Sequence, residues 1–327
     1  MNRMVIMMIQ KILFAIVFTA VLAGCRNEVE PVTEVEPVTE VEPVTEVEPV
    51  TRDNFIDESA ISITPQLLIA MQDELEIRLQ EMIEQIPGIV GLSYYCLTTG
   101  RRIEINGDQS FFQASTVKLP THMMIAEFVR DGILSWDQPL TFTSDLFFGG
   151  SGILQYTIQP EDILTVAEAM YYSIVYSDNI AHRLLFRTFA SDSDSITPYQ
   201  LAGIELTTVI FDRYFPGETA EGRLMMTPNQ LTEIFKVLYR DKDHIEGYGM
   251  ILEHMMNTSW IDRFYTELAS GYVAHTPGWT YPYQNDSGIF FTEYPYILVI
   301  FTREVASAED FLGEISDMVL EMHLAFE

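Results

Sequence analysis

Two periodicities alternate along the chain from residue 64 to its end. Apolar residues that recur every three or four positions predict a helix with one buried face, and short or alternating apolar runs predict a strand. Thr64-Pro65 and Thr227-Pro228 each join a capping residue to a proline suited to the first helical position. The predicted helices are Leu67–Ile86, Ala114–Arg130, Thr165–Tyr176, Asn179–Phe189, Pro228–Tyr239 and Ala308–Phe326, and the predicted strands are Ile89–Thr98, Arg101–Ile105, Gly271–Ala274, Gly288–Glu293 and Tyr296–Arg303.

Strands at both ends of this region and helices between them predict one sheet built from the two ends of the chain. The sheet is expected to be antiparallel because its hairpins are short. The predicted fold class is α+β, with an α/β lobe at residues 60–120 and 240–327 and an inserted, all-helical lobe at residues 121–239. The cleft between the two lobes is the expected place for a site.

The first residues have the pattern of a bacterial export signal. Two basic residues precede the thirteen uncharged residues Ile12–Gly24, and Cys25 follows. Such a run spans about 20 Å as a helix, which is too short for a hydrocarbon core of about 30 Å. Residues 1–24 are therefore predicted to be a signal peptide. The small residues before Cys25 resemble a lipobox, in which the cysteine is acylated, and an ordinary signal peptide or an uncleaved anchor is the alternative. Each version places the rest of the chain outside the cytoplasm.

A repeat separates this signal from the predicted domain. The hexad Glu-Val-Glu-Pro-Val-Thr occurs four times between residues 28 and 51. Its like charges and its prolines leave no apolar face that could offset the entropy of ordering the chain. Residues 25–52 are therefore predicted to be an extended tether, with a repeat about 75 Å long at about 3.1 Å per residue. Residues 53–327 remain as the folded domain.

Composition restricts the kind of partner. The 327 residues include 48 Asp and Glu against 18 Lys and Arg, which gives a formal net charge of −30. This charge repels phosphate and argues against nucleic acid as a partner. The two cysteines cannot form a disulfide framework, and Cys96 is expected to be a small buried hydrophobic residue. No metal and no cofactor is predicted, because the histidines of the helical region lack metal-ligand spacing: His122, His182, His244 and His254.

A candidate nucleophile lies at the start of the second predicted helix. In Ser115-Thr116-Val117-Lys118, the serine and the lysine share one helical face. A serine hydroxyl needs an adjacent base, and lysine becomes one if its pKa falls by about three units from its usual value of about 10.4. Burial can lower that pKa, and the helix amino terminus offers a backbone N–H to an oxyanion. Taken alone, this motif could arise by chance.

A second candidate motif, Ser177-Asp178-Asn179, lies at a break between two predicted helices. A hydroxyl and an amide there could pass a proton and orient a substrate amide. The alternative is a helix cap, because Ser, Asp and Asn are all favourable capping residues.

The two motifs together, in this order and at this separation, resemble those of the penicillin-recognising serine enzymes, and of the class A β-lactamase-like branch in particular. The segment 150–154 and Thr227-Pro228 extend the resemblance, which covers Gly91 to Thr302. It implies a β-lactamase/transpeptidase-like fold, an antiparallel sheet flanked by helices with an all-helical lobe. It also implies that the substrate is a β-lactam or a cell-wall peptide.

The same resemblance implies roles for individual residues. Ser115 would be acylated, Lys118 would act as base or proton relay, and Ser177 and Asn179 would line the cleft. The backbone N–H groups of Ser115 and Trp279 would form the oxyanion site.

Two departures from the family pattern change the expected activity. The family's Lys-Thr/Ser-Gly motif, aligned here on Gly278 and Trp279, has Thr276 at the lysine position and Pro277 at the hydroxyl position. The cation that would bind a substrate carboxylate is therefore missing from the motif. The candidates to replace it are His275, Arg223 and Arg263.

The second departure concerns deacylation. Anchored on Arg213 and Pro216, the position of the glutamate that activates water in class A β-lactamases holds Phe215, and Glu218 is the nearest substitute. Loss of a general base slows a reaction by about 10² to 10⁴. Efficient β-lactamase turnover is therefore not expected.

The sequence favours a membrane-anchored, extracytoplasmic serine hydrolase that acts through a Ser115 acyl-enzyme on an amide, peptide or ester. Its expected partners are a small-molecule or cell-wall peptide substrate and, through the lipid anchor, the membrane. The alternative is a noncatalytic sensor or binding module on the same fold. The enzyme is preferred because a buried lysine is costly to desolvate and has no physical purpose in a binding module.

Overall fold

The computed structural model describes residues 58–188, 208–219, 221–222 and 224–326, and the side chains from residue 66 onward. The predicted signal peptide and tether therefore lie outside the described residues. The helices are α1 (Glu58–Glu84), α2 (Lys118–Arg130), α3 (Val166–Val175), α4 (Asn179–Arg187), α5 (Pro228–Asp241), α6 (Glu246–Met256) and α7 (Ala308–Leu324). A further helical segment covers residues 208–214. None of the described helices is long and apolar enough to cross a membrane.

The strands form one large antiparallel sheet and two short pairs. The strands are β1 (Ile89–Cys96), β2 (Arg102–Ile105), β3 (Phe111–Phe112), β4 (Pro139–Thr141), β5 (Ile163–Thr165), β6 (Met225–Met226), β7 (Val273–His275), β8 (Gly278–Thr280), β9 (Tyr283–Phe290) and β10 (Tyr296–Arg303). The large sheet has the order β2-β1-β10-β9-β7, and β8 pairs with the first part of β9. The prediction of an antiparallel sheet built from both ends of the chain is confirmed.

The sheet separates two hydrophobic cores. Along β10, successive side chains point to opposite faces. Leu298 and Ile300 pack with α1 and α7, whereas Val299 and Phe301 pack with α5 and the helical part of the chain. Burial on both faces explains why β10 is a continuous apolar run. Cys96 is a free, fully buried thiol in the first of these cores, as expected.

Local signals fix the helix starts around the cleft. Thr227 caps α5 and exchanges hydrogen bonds with Gln230, and Pro228 occupies the first turn, as predicted. The helix predicted from Ala114 instead begins as a 3₁₀ turn, Ala114–Val117, which leads into α2 at Lys118. Pro120 fits there because the first turn of an α-helix needs no N–H donor at that position.

Candidate functional site

The turn that carries Ser115 is held by side chains and backbone from distant parts of the chain. The amide of Asn285 on β9 donates to the carbonyl oxygens of Phe112 at 2.9 Å and Gln113 at 3.1 Å. Ala114, directly before Ser115, has a left-handed backbone with φ 51°. Non-glycine residues hold this conformation only where their surroundings impose it, and they concentrate at functional sites. The nucleophile turn is therefore a rigid, preorganised element.

A glycine lets β8 lie directly against this turn. A Cβ atom at Gly278 would lie 2.6 Å from the carbonyl oxygen of Gln113 and 3.0 Å from the backbone nitrogen of Ser115. A side chain of any kind would push the strand away. The strand residue that follows, Trp279, has an exposed side chain, so its contribution to the site can come from its backbone. The oxyanion role of the N–H groups of Ser115 and Trp279 stays a prediction that this close approach supports.

Lys118 lies buried at the start of α2 and contacts the second motif. Its Nζ donates to the carbonyl oxygen of Ser177 at 2.5 Å, to Oγ of Ser177 at 3.1 Å and to Oδ1 of Asn179 at 2.9 Å. Burial lowers the pKa of Lys118 to about 7, and the nearby carboxylate of Asp178 opposes part of this shift. The lysine can therefore exist as a neutral amine near neutral pH, as base chemistry on a serine requires.

The three residues of the second motif have separate tasks. Asp178 is a helix cap: Oδ1 accepts from the backbone of Ile180 and Ala181, and Oδ2 accepts from Leu154. Ser177, with φ 48°, lines the cleft beside Ser115. The capping alternative is thus correct for Asp178, while Ser177 contacts Lys118 and lines the cleft that also contains Ser115.

Asn179 joins the lysine to the edge of the cleft. Its Oδ1 accepts from Lys118, and its Nδ2 donates to the carbonyl oxygen of Gly149 at 2.9 Å. Its backbone N–H also donates to the carbonyl oxygen of Ser151 at 3.3 Å. Both side-chain polar atoms are therefore engaged within the protein, and Asn179 positions Lys118 and the loop at 149–152.

Ser115 and Ser177 both line a narrow cleft of about 40 Å³. Ser151, Trp260 and Arg263 line the same cleft, and each has a buried polar atom without a hydrogen-bond partner among the described residues: Ser151 Oγ, Trp260 Nε1 and Arg263 Nε. Buried donors without partners are rare because each costs about 1 to 3 kcal/mol. Three of them in one cleft indicate a place for a ligand with oxygen acceptors.

Arg263 is one of the three residues expected to replace the missing cation. It is buried, and its Nη atoms pair with Asp262 at 2.6 Å and Glu309 at 2.9 Å. These two carboxylates balance its positive charge. Arg263 therefore offers the cleft an N–H donor rather than an unpaired charge. Arg223 lies outside the described residues.

Two residues of the strand motif expected to bind substrate, His275 and Thr276, do not line the cleft. The side chain of His275 is fully buried and lies 2.9 Å from Asp286, so the suggestion that it supplies a charge to the cleft is corrected. A fully buried ring paired with a carboxylate cannot reach the substrate. The backbone N–H of Thr276 donates to the carbonyl oxygen of Ser287 at 2.8 Å, which holds this residue beside β9.

The residues considered for deacylation also lie elsewhere. Phe215 is buried, and its ring centroid lies 5.4 Å from that of Phe211. Glu218 accepts from Gln230 at 2.8 Å, in a groove separate from the cleft. Among the described residues, no carboxylate lines the cleft that contains Ser115.

Two histidines, His122 and His182, interact electrostatically with Lys118. Nε2 of His122 lies 2.7 Å from Oγ of Ser173, and Nε2 of His182 lies 3.2 Å from Oγ1 of Thr121. Burial lowers the pKa of His122 to about 3 and holds that of His182 well below its usual value, and the Lys118 charge adds to both shifts. Both rings are therefore neutral near pH 7. Within the described ranges, no group of three His, Cys, Asp or Glu side chains could hold a metal ion.

Sequence reasoning assigned no role to Trp260, Ser151 or Asn285. Gly150-Ser151-Gly152 supported the family resemblance without a function for the serine, and Trp260 lies three residues before Arg263 in an irregular loop. The available signal for Trp260 was a tryptophan next to charged residues outside any predicted element. Only the fold shows that this loop reaches the cleft.

The chain is similar to proteins of one family. A family model described as the Beta-lactamase enzyme family matches residues 74–322. Among solved structures, the chain is 20% identical to PBP-A with a TM-score of 0.65, over 76% of this chain and 95% of that one. It is 21% identical to an ancestral (GNCA) class A β-lactamase with a TM-score of 0.63, over 76% and 99% of the two chains.

A β-lactamase from Sphaerobacter thermophilus DSM 20745 is 21% identical with a TM-score of 0.61, over 74% of this chain and 94% of that one. No curated protein matches the chain in sequence. The structural matches show a shared β-lactamase-like fold.

Proposed function

Because the chain belongs to the β-lactamase enzyme family, we propose that it is a serine hydrolase or acyl-transferase that acts through a Ser115 acyl-enzyme on an amide, peptide or ester. One observation carries the proposal. Lys118 has its pKa lowered to about 7 and contacts Ser177, which shares a cleft with Ser115. A base, a proton relay and a nucleophile thus lie on adjoining elements.

The chemistry follows from these positions. Neutral Lys118 accepts the proton of Ser115 as Oγ attacks the substrate carbonyl carbon, either directly or through the hydroxyl of Ser177. The oxyanion forms beside β8, where the N–H groups of Ser115 and Trp279 would receive it. The proton then passes from Lys118 through Ser177, 3.1 Å away, to the leaving group. An ester of Ser115 remains.

The substrate class is inferred from the unpaired donors of the cleft. Ser151 Oγ, Trp260 Nε1 and Arg263 Nε can bind carbonyl or carboxylate oxygens, which β-lactams and cell-wall peptides both carry. A structural relative supports the choice of probe: a structure of a point mutant of PBP-A is an acyl-enzyme complex with penicillin-G. Its match to this chain has a TM-score of 0.64 at 20% identity.

Slow hydrolysis of the acyl-enzyme is part of the proposal. Because no carboxylate among the described residues lines the cleft, water lacks a general base, and deacylation should be slower by about 10² to 10⁴ than with one. The protein then acts as a penicillin-binding enzyme more than as a β-lactamase. The same observation favours the second candidate, a sensor or binding module that does not turn its ligand over.

Attachment to the outer face of a membrane completes the proposal. Acylation of Cys25 would anchor the chain, and the repeat at residues 28–51 would separate the domain from the bilayer. Growth of a bacterium expressing the full chain with labelled palmitate should label the protein, and Cys25→Ser should remove the label. Equal labelling of both proteins would exclude this anchor.

Intact mass spectrometry of the full chain with benzylpenicillin tests the enzymatic proposal. We expect a mass gain of one penicillin that persists over hours and is absent in Ser115→Ala. Ser287→Ala is the matched control, because Ser287 is buried near the cleft without lining it. An adduct that decays within seconds would favour a β-lactamase. No adduct and no penicillin consumption would exclude β-lactam recognition.

A further inference from the structure

A buried histidine and carboxylate lie next to the strand position where the family motif has its cation. The side chains of His275 on β7 and Asp286 on β9 are both fully buried, and Nδ1 of His275 lies 2.9 Å from Oδ2 of Asp286. On the other side of the ring, Nε2 lies 3.1 Å from the carbonyl oxygen of Trp260. The ring therefore connects two strands to the loop that reaches the cleft.

The hydrogen-bond partners of this ring determine the protonation of Nε2. A backbone carbonyl oxygen only accepts, so Nε2 of His275 must carry a proton. Asp286 also accepts backbone N–H groups, from Phe264 at 3.1 Å and from Ser287 at 2.8 Å. Asp286 is thus bonded to the loop, to its own strand and to the ring of His275.

We infer that the buried pair of His275 and Asp286 is a clamp that holds the cleft loop, residues 260–264, in place. The pair binds the loop at both ends, because His275 donates to the carbonyl of Trp260 and Asp286 accepts from the N–H of Phe264. Arg263 lies between these two points and lines the cleft together with Trp260.

The backbone of this loop needs such a clamp. Arg263 has a left-handed backbone with φ 55°, which a non-glycine residue keeps only where surrounding contacts impose it. At its start, the loop is also tied to the helical part of the chain, since the N–H of Ser259 donates to the carbonyl of Val175 at 2.8 Å. His275 is therefore a positioning residue that acts through Trp260 and Arg263. Because the ring is fully buried and paired with Asp286, it cannot also bind a substrate anion.

Other titratable groups lie on the elements around the ring. The ring centroid of Tyr265 lies 6.0 Å from that of His275, and Arg263 is paired with Asp262 and Glu309. Helix α7 packs against β9 on the same face of the sheet and carries Glu309, Asp310, Glu314 and Asp317. Asp317 accepts from the hydroxyl of Thr266. Asp286 is the carboxylate in direct contact with His275.

NMR reads the protonation state directly. In the full chain labelled with ¹⁵N-histidine, two-bond ¹H–¹⁵N correlations show whether each ring nitrogen carries a proton, and His275→Gln assigns the signals. We expect Nε2 of His275 to carry a proton, because its partner, the carbonyl oxygen of Trp260, only accepts. A wild-type ring whose Nε2 carries no proton overturns the inference.

Hydrogen exchange tests the clamp against a matched control. In His275→Gln, we expect peptides that cover residues 260–264 to exchange about tenfold faster than in the wild type, as expected for the loss of buried hydrogen bonds. The control is His323→Gln, which removes another buried histidine, located on α7 and bonded to Tyr94 on β1. Unchanged exchange in His275→Gln, or equal acceleration in both variants, contradicts the clamp.

The effect of the clamp on substrate binding rests on the proposed function, whereas the protonation state and the loop exchange do not. If the NMR and exchange results hold and no penicillin adduct forms, the proposed function fails and the clamp stands. If an adduct forms and the loop exchanges at the wild-type rate in His275→Gln, the clamp fails and the function stands.

Discussion

Replacing Lys118 with methionine tests whether its site disfavours the charged amine. Burial lowers the pKa of Lys118 from 10.5 to about 7, so between these pH values the unfolded chain binds a proton that the folded chain does not. The free energy of unfolding therefore increases with pH over this window. The contribution is fully present above pH 10.5 and is lost as the pH falls to about 7.

The size of this effect follows from the two pKa values. Each pKa unit corresponds to about 1.4 kcal/mol, and between pH 7 and pH 9 the difference in proton binding changes the free energy of unfolding by about 2 kcal/mol. Lys118→Met has a side chain of similar length without a charge, so it lacks this dependence. The variant also loses the hydrogen bonds to Ser177 and Asn179. The pH dependence of the stability difference, and not its value at one pH, is therefore the test.

Urea unfolding of both proteins at pH 7, 8 and 9 measures this difference. We expect the wild type to gain about 2 kcal/mol relative to Lys118→Met between the lowest and the highest pH. Lys236→Met is the control, because its amine lies partly exposed beside Glu233 and should leave the wild-type pH dependence unchanged. If the curves of wild type and Lys118→Met run parallel across this range, the lysine is not held in a site that disfavours its charge.

Three further predictions concern the cleft. The rate of acylation by benzylpenicillin should rise with pH through about 7, because the neutral amine of Lys118 is the reactive form, and stopped-flow measurement of a flat profile would contradict this role. Gly278→Ala should slow acylation by at least about 10², since its Cβ would lie 2.6 Å from the carbonyl oxygen of Gln113; a rate within about twofold of wild type would mean that β8 need not lie so close. Asp178→Ala should lower the free energy of unfolding by about 2 to 4 kcal/mol, through a lost helix cap and an unpaired buried N–H of Leu154, and a loss below about 1 kcal/mol in urea unfolding would refute this account.

The sequence predicted the parts of the fold whose residues form their own local pattern. Strand β10 is a continuous apolar run because both of its faces are buried, and α5 begins at a capping residue followed by proline. The pairing of Ser115 and Lys118 with the second motif was also predictable, since a serine, a lysine and a polar break at a fixed separation form a recognisable pattern. In each of these cases the signal lies within a few neighbouring residues.

The parts that sequence reasoning missed depend on contacts between distant segments. The predicted strand Gly288–Glu293 places the chain before it in a turn, because residues 284–287 are all polar. The structure instead begins β9 at Tyr283, and the side chains of Asn285, Asp286 and Ser287 are buried. Asn285 holds the turn of Ser115, and Asp286 holds His275 and the cleft loop.

This polar stretch of β9 shows why a local rule failed at the site. A buried strand of polar residues is stable only when each buried polar group finds a partner. The partners of Asn285 lie 172 and 173 residues away, on the turn before Ser115, and no pattern within a short window reveals them. Departures from local sequence preferences are expected at functional sites, because the side chains there serve to hold other groups in position. Asn285 and Asp286, which the sequence places in a turn, therefore hold the turn of Ser115 and the cleft loop.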